Sequence, residues 1–194
     1  IDFLKNDPVY GGCSIMLGVP TYFRDLDKDC LPDPYLHTII ESVDIVLPWM
    51  VQRFTPLVHK VGDHLRDHII ADIKWTKERN LDYVPVITPG FSWRNLSLSK
   101  PNLARYTAYG AIPRLGGRFY WDQMANAILA GSEMIYVAMF DEIDEGTAIM
   151  KAATDWSMIP TDYYFLTLSA DGTWLSSDYY LRVAGAATAM LKSS

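Results

Sequence analysis

The chain is poor in the features that cross-link a fold, cross a membrane or grip a nucleic acid. Its 194 residues hold only two cysteines, Cys13 and Cys30. Cys13 opens an apolar stretch and Cys30 lies in the polar loop beyond it, so an extended strand should keep them too far apart to bond. Two free thiols are expected. No stretch approaches the roughly 20 consecutive apolar residues of a membrane-spanning helix, and no membrane partner is expected. Lysine and arginine number 17 against 23 acids, are dispersed, and leave a net charge of −6. Polyanions are bound through basic stripes, so no nucleic acid is expected as partner, and a neutral polar ligand suits the balance better. The chain also lacks a glycine-rich phosphate turn, an internal repeat, a low-complexity tract, and any Ser-His-Asp or Cys-His set. It starts at Ile1 without an initiator Met or a signal-peptide pattern, from which an absent N-terminal part is expected.

What is present is the material of a globular domain: 49% hydrophobic residues, 21% charged and six Trp. One domain over residues 1–194 is expected, with a sizeable core. Apolar runs predict five strands: Ser14–Pro20, fully buried, then Val43–Trp49, Tyr83–Pro89, Met134–Ala138 and Tyr164–Leu168. Helices are expected between them at about 35–41, from an N-cap at Asp63 to near Asn80, and at 118–130, with a last helix capped by Ser177. Their inner faces read as Leu65, Ile69 and Ile73; Tyr120, Met124, Ala127 and Ile128; and Tyr180, Ala184, Ala187 and Leu191. Between them lies a long polar loop, Gly90 to Gly117, and loops of that length are more often functional than idle.

Strands separated by helices, with no hairpin signal, call for parallel pairing. Two α/β architectures fit: a complete five-stranded open sheet, or an eight-stranded (β/α)8 barrel of TIM type to which this chain contributes about the C-terminal five β/α units. Polar and aromatic residues recur after several strands, as they do at barrel active sites, and this favours the barrel. Five strands cannot close one, so the remaining N-terminal strands are expected on the same or an associated chain.

The densest chemistry follows the fourth strand. Met139-Phe140-Asp141-Glu142-Ile143-Asp144-Glu145-Gly146-Thr147 places four carboxylates in five positions behind an apolar run. If the strand ends near Phe140 and the chain turns before Gly146, Glu142 and Glu145 can face one cavity. Two carboxylates on one substrate suit glycosidic cleavage, one protonating the leaving oxygen and the other acting as base or nucleophile. Crowding by Asp141 and Asp144 should raise at least one pKa. A solvated acidic loop or an oxygen-ligand cation site fits the same residues. Tyr22, Trp49, Phe91 and Trp93 lie at or past strand ends, where a sugar could stack on them. Asn95 and Arg94 could bond hydroxyls or order their loop, and Arg114 could orient a carboxylate of the acidic motif. His64 and His68 have metal-ligand spacing without an accompanying Glu, so surface histidines are expected there, with no metal and no cofactor. His37 and His59 receive no role.

Phe140-Asp141-Glu142-Ile143-Asp144-Glu145-Gly146-Thr147 resembles the Phe-Asn-Glu-Trp-His-Glu-Gly-Thr segment of glycoside hydrolase family 99, the endo-α-mannosidases and endomannanases. Pro89-Gly90-Phe91, Arg114 and Gly117-Arg118-Phe119-Tyr120 are similar to that family's Pro-Gly-Tyr, Arg and Gly-x-Tyr-Tyr stretch, in register from about Tyr83 to Ile149. Pro89-Gly90-Phe91-Ser92-Trp93 and the acidic motif are closer still to those of proteins described as family 71/99-like. The resemblance implies a β/α barrel, a carbohydrate substrate and cleavage with retention, in which Glu142 would deprotonate the sugar 2-hydroxyl and Glu145 would serve as acid and then base. It favours a secreted or periplasmic location. Asp141, Ile143 and Asp144 stand where the family has Asn, Trp and His, so the aromatic and imidazole between the acids are absent. A glycoside hydrolase is the expectation, and a carbohydrate-binding barrel without turnover is the alternative.

Overall fold

The computed structural model describes residues 1–56, 61–99 and 110–194. It contains β1 Met16–Pro20, β2 Ile45–Trp49, β3 Asp82–Tyr83, β4 Val86–Ile87 and β5 Tyr136–Val137, with helices α1 Asp2–Asn6, α2 Tyr35–Ile40, α3 Val61–Lys77, α4 Arg94–Ser99, α5 Arg118–Leu129 and α6 Tyr179–Ser193. All ladders are parallel: Met16 lies opposite Ile45, Ile45 opposite Asp82 and Val86 opposite Tyr136. β3 and β4 are two ends of one extended run interrupted at Val84-Pro85. The Val84 amide donates to the Val46 carbonyl at 2.9 Å on one side, and the Pro85 carbonyl accepts from the Tyr136 amide at 3.0 Å on the other. Proline has no amide to give, so this stretch hands the pairing from β2 to β5 rather than carrying both ladders at once.

Each strand therefore sits beside its neighbour in sequence. Open doubly wound sheets reverse their strand order at a switch point, and the described strands show no reversal. On the outer side α3 packs against β3 and α5, and α5 packs against β4 and α6. The apolar stripes account for this layer. Leu65, Ile69, Tyr120, Met124, Ala127, Ile128, Tyr180 and Ala187 are buried, with Ile73 and Ala184 packed against them.

Several expectations need correction. β1 is not buried on both faces, and Met16 is 47% exposed. Among the described residues β1 pairs only with β2, so one edge has no ladder and side chains there have little to pack against. Tyr164–Leu168 is not a strand. The amide of Leu168 reaches Ala153 at 3.0 Å, but the Tyr164 carbonyl accepts from the Asn95 side chain at 2.9 Å instead of from a strand. A five-residue apolar run can be satisfied by packing alone, without a ladder. α3 starts at Val61, ahead of the expected cap at Asp63. The N-cap of α6 is Asp178 rather than Ser177, with no side-chain cap; Ser176 donates to the Asp178 carboxylate at 2.7 Å. The loop 90–117 carries α4, and its residues 100–109 lie outside the described ones, as does His59. Cys13 and Cys30 are free thiols, as expected.

His68 is not a surface histidine. Its side chain is 10% exposed and its Nε2 lies 3.2 Å from Asp72 Oδ2 and 3.2 Å from the Thr21 carbonyl. Asp72 is wholly buried and also accepts from Arg24 Nε and the Tyr83 hydroxyl, each at 3.0 Å. Burial, with Asp72 alongside, pushes the Tyr83 phenol well up, so it stays a neutral donor. His64 is exposed, and His37 packs on Trp75 with Nε2 2.9 Å from the Phe23 carbonyl. Among the described residues no group of His, Cys, Asp or Glu is placed to hold a metal ion.

The Asp72 network closes the sheet ends against α3, and its removal tests its importance. Asp72→Ala leaves the Arg24 charge without its buried partner and should cost about 3 kcal/mol in urea unfolding. Tyr83→Phe removes one neutral donor and should cost about 1 kcal/mol. Equal, small losses for both would contradict the buried ion pair.

Candidate functional site

Past β5 the chain turns tightly on itself; the Ala138–Met139 peptide there is cis. The Met139 amide donates to the Thr147 carbonyl at 3.2 Å, Thr147 donates to Glu142 at 3.1 Å, and Met150 donates to Phe140 at 2.9 Å. The acidic motif is thus a turn closed by backbone bonds, with Asp141 and Asp144 exposed on it. Its tip depends on Gly146, which has φ +65 and where an added Cβ would meet Leu166 Cδ1 at 2.8 Å. Both the dihedral and the space favour glycine.

Three segments tie this turn to the rest of the sheet end. The Ser92 amide donates to the Glu145 carbonyl at 2.7 Å. Asn95 Nδ2 donates to the Asp144 carbonyl at 3.4 Å and the Tyr164 carbonyl at 2.9 Å. One terminal nitrogen of Arg114 donates to the carbonyls of Gly146 at 2.9 Å and Ala148 at 2.7 Å, while its guanidinium carbon lies 4.4 Å from the centre of the Tyr180 ring. Arg114 therefore holds the backbone of the acidic turn, not a carboxylate of it as expected. Burial lowers the guanidinium's pKa below its ordinary value, yet arginine stays charged throughout the physiological range. Phe91 and Ile112 exchange amide–carbonyl bonds at 2.9 and 3.0 Å, which sets Arg114 beside the turn.

Within the turn the acids differ. Glu142 folds back, and its Oε1 accepts from the amides of Asp144 at 2.9 Å and Glu145 at 3.4 Å. Asp141 and Asp144 are exposed, whereas Glu145 is half-buried. Burial, then the charge of Glu142, then that of Asp144, raise the Glu145 carboxyl above its ordinary value. The crowding expected from the sequence therefore acts at Glu145, with burial the larger cause.

The other candidates divide. Trp93 is half-buried and meets Phe91 edge-on at 5.2 Å. Phe91 is wholly buried, so it cannot stack on a sugar; its aromatic mass fills the core beneath the loop. Asn95 orders its loop. Trp49 and Tyr22 belong to a second cluster at the ends of β2 and β1, two and three strands from β5 and so roughly 10 and 14 Å along the sheet. There Thr21 Oγ1 donates to the Trp49 carbonyl at 2.8 Å, and Trp49 is 44% exposed. Lys28 Nζ lies 3.7 Å from the centre of the Tyr22 ring. Asp29 anchors this cluster, accepting from the Thr21 and Tyr22 amides at 3.1 Å each and from Arg53 Nε at 2.8 Å. Burial works to raise the Asp29 carboxyl, but these bonds outweigh it and hold its pKa below the ordinary value. Asp29 and Arg53 are ordinary charged loop residues that no local pattern marks, whereas Ser92 lies in the Pro89–Trp93 motif but acts here through its backbone amide.

Gly146→Ala should destabilise the protein by about 1–3 kcal/mol in urea unfolding through its left-handed backbone, and a neutral effect would contradict the turn. Glu145 supplies a second test with a defined sign. A carboxyl whose folded pKa is raised above the ordinary 4.5 binds more protons folded than unfolded, so stability falls as pH rises from 4.5 through the folded value. Glu145→Gln removes that penalty. It should raise Tm at pH 7, with the gain vanishing below pH 4.5; a lower Tm at pH 7 would contradict the burial of the charge.

No family model and no curated protein matches the chain. Among solved structures, it is similar to a GH99 endo-alpha-mannosidase from Bacteroides thetaiotaomicron, with 18% identity and a TM-score of 0.62 over 97% of this chain and 47% of that one. It matches the same enzyme in complex with bis-tris-propane with 18% identity and a TM-score of 0.61, over 97% of this chain and 51% of that one. The chain thus spans about half the length of the structures it matches. Parallel strands in sequential order, backed by helices and ending in tied polar turns, have the fold of about half of a glycosidase.

Proposed function

We propose that this chain carries the acid/base turn of a glycoside hydrolase acting on an α-linked glycan with retention of configuration. The observation that carries the proposal is Glu145: a half-buried carboxyl with a raised pKa, three residues from a second glutamate, in a turn tied by backbone bonds at the end of a parallel strand. The fold match and the motif resemblance support the same chemistry. A carboxyl whose pKa is raised by burial and neighbouring charge suits a general acid.

In this scheme Glu145 gives its proton to the glycosidic oxygen as the anomeric carbon–oxygen bond breaks. Glu142, through the oxygen not engaged by the turn's amides, takes the proton of the sugar 2-hydroxyl. That oxygen attacks the anomeric carbon and closes an anhydrosugar. Glu145, now ionised, takes a proton from the water that attacks the anomeric carbon, and Glu142 returns its proton to the 2-oxygen as the anhydro ring opens, which restores both groups. Trp93, Trp49 and Tyr22 are proposed as substrate contacts, and Arg114 and Asn95 as positioning residues. Asp141 and Asp144 flank the acids and keep negative charge near them. We also propose that the ladder-free edge of β1 is covered by further strands of a β/α barrel, on the same or an associated chain, because a bare parallel edge is an aggregation liability.

One observation favours the second reading, a glycan-binding protein without turnover: Glu142 Oε1 already serves the amides of its own turn. Kinetics on a panel of α-linked oligo- and polysaccharides separates the two. Glu145→Gln and Glu142→Gln should each lower kcat by about 10²–10⁴-fold while glycan binding persists. A wild-type protein that binds glycan but never cleaves it would establish the second reading. The profile of kcat/KM should also fall on its alkaline side as Glu145 ionises, at a pH above that of an ordinary carboxyl, and a limb at the ordinary value of 4.5 would contradict its role as acid.

A further inference from the structure

We infer that Trp156 and Tyr164 form a stacking platform beside the acidic turn, a subsite for the apolar face of a neutral pyranose ring; the inference rests on the glycan-cleaving proposal above. Their ring centroids are 4.4 Å apart with planes inclined by 38°. Trp156 is 46% exposed. Neither residue stands out in the sequence, because Tyr164 sits in an apolar run that resembles a strand and Trp156 in a polar connection.

Three observations give the pair a site role. The first is rigidity. Trp156 opens a short 3-10 turn, Trp156–Met158, whose N-cap Asp155 accepts from the Ser157 amide at 2.9 Å and also from the Ser157 hydroxyl. An aromatic ring on a fixed turn loses little conformational freedom when a ligand covers it. The second is connection to the acids. Asn95 Nδ2 donates to the Tyr164 carbonyl at 2.9 Å and to the Asp144 carbonyl at 3.4 Å. One ring contact and one amide bridge therefore join Trp156 to the backbone between Glu142 and Glu145. The third is the mismatch between exposure and chemistry. A large indole left in water forgoes its burial energy, and its neighbours Met158 and Tyr163 are exposed as well.

The surroundings select the occupant. Asn95 bridges Tyr164 to Asp144 of the acidic turn, Asp155 and Asp162 lie in the same segment as the platform, and Arg94 lies 5.8 Å from the centre of the Tyr164 ring, so acids predominate at this rim. An anionic sugar would be repelled by such a rim, whereas a neutral ring offers C–H groups to the aromatic faces and hydroxyls to the carboxylates. The platform would thus hold a sugar unit next to the bond that Glu145 protonates. Trp156 and Tyr164 would contribute to KM and to the choice of neutral over acidic glycans, not to proton transfer.

The test uses the full chain with Glu145→Gln, so that binding is read without turnover, against α-mannan, a set of neutral oligosaccharides and a uronic-acid polymer. Trp156→Ala should weaken neutral-glycan binding about tenfold, and Trp156→Phe should retain most of it. Glycan should shield one exposed tryptophan from acrylamide quenching, a protection lost in Trp156→Phe, with Tm unchanged. With Glu145 intact, Trp156→Ala should raise KM more than it lowers kcat. Unchanged binding by Trp156→Ala, or binding of the uronic-acid polymer as tight as that of neutral glycans, overturns the platform while leaving the hydrolase proposal standing. Failure of the parent protein to bind or cleave any glycan overturns both.

Discussion

Four carboxylates within five positions repel one another, and the molecule keeps them together by tying the backbone that carries them. Ser92 grips the Glu145 carbonyl, Asn95 the Asp144 carbonyl, and Arg114 the Gly146 and Ala148 carbonyls. None of these bonds uses a carboxylate. The peptide groups between the acids take this anchoring, while one oxygen of Glu142 accepts from the amides of its own turn. Arg114 also brings a positive charge behind the turn, against the Tyr180 ring. The same bonds account for the need for glycine at position 146, since the turn they close demands a left-handed tip.

This anchoring depends in turn on the sheet. β4 and β5 pair directly, so the loops following them emerge side by side, and Ser92 and Glu145 can meet. The break at Val84-Pro85 passes the ladder from β2 to β5 and leaves the Trp49–Tyr22 cluster at the ends of β2 and β1. The Asp72 network, with Arg24, His68 and Tyr83, braces that second cluster from α3. The candidate site residues are thus carried on loops, and their placement is set by strand pairing and buried polar bonds beneath them.

Much of this was legible in the sequence where the signal is local. The apolar run ending in Asp141 marked the strand end, and the stripes Leu65–Ile69 and Tyr120–Met124–Ala127 marked the outer helices. The glutamate pair was set apart by a motif. What escaped was set by distant partners. Phe91 reads as a strand-end aromatic, yet Ile112 and the loop bury it. His68 has the spacing of a ligand, yet Asp72 one turn away and Thr21 from another strand end enclose it. Tyr164–Leu168 has a strand's composition, but Asn95 takes a carbonyl that a ladder would have used. Trp156 carries no local pattern at all. Its place beside the acids follows only once Tyr164 is bridged to Asp144.

The central claim is that Glu145 protonates a glycosidic oxygen from this tied turn. The most direct measurement is a crystal structure of the Glu145→Gln protein with an uncleaved oligosaccharide bound. The account predicts the side chain at position 145 within hydrogen-bond distance of a glycosidic oxygen, with a sugar 2-hydroxyl reaching Glu142. A glycan bound away from the turn, or one whose glycosidic oxygens all lie out of reach of position 145, would contradict it.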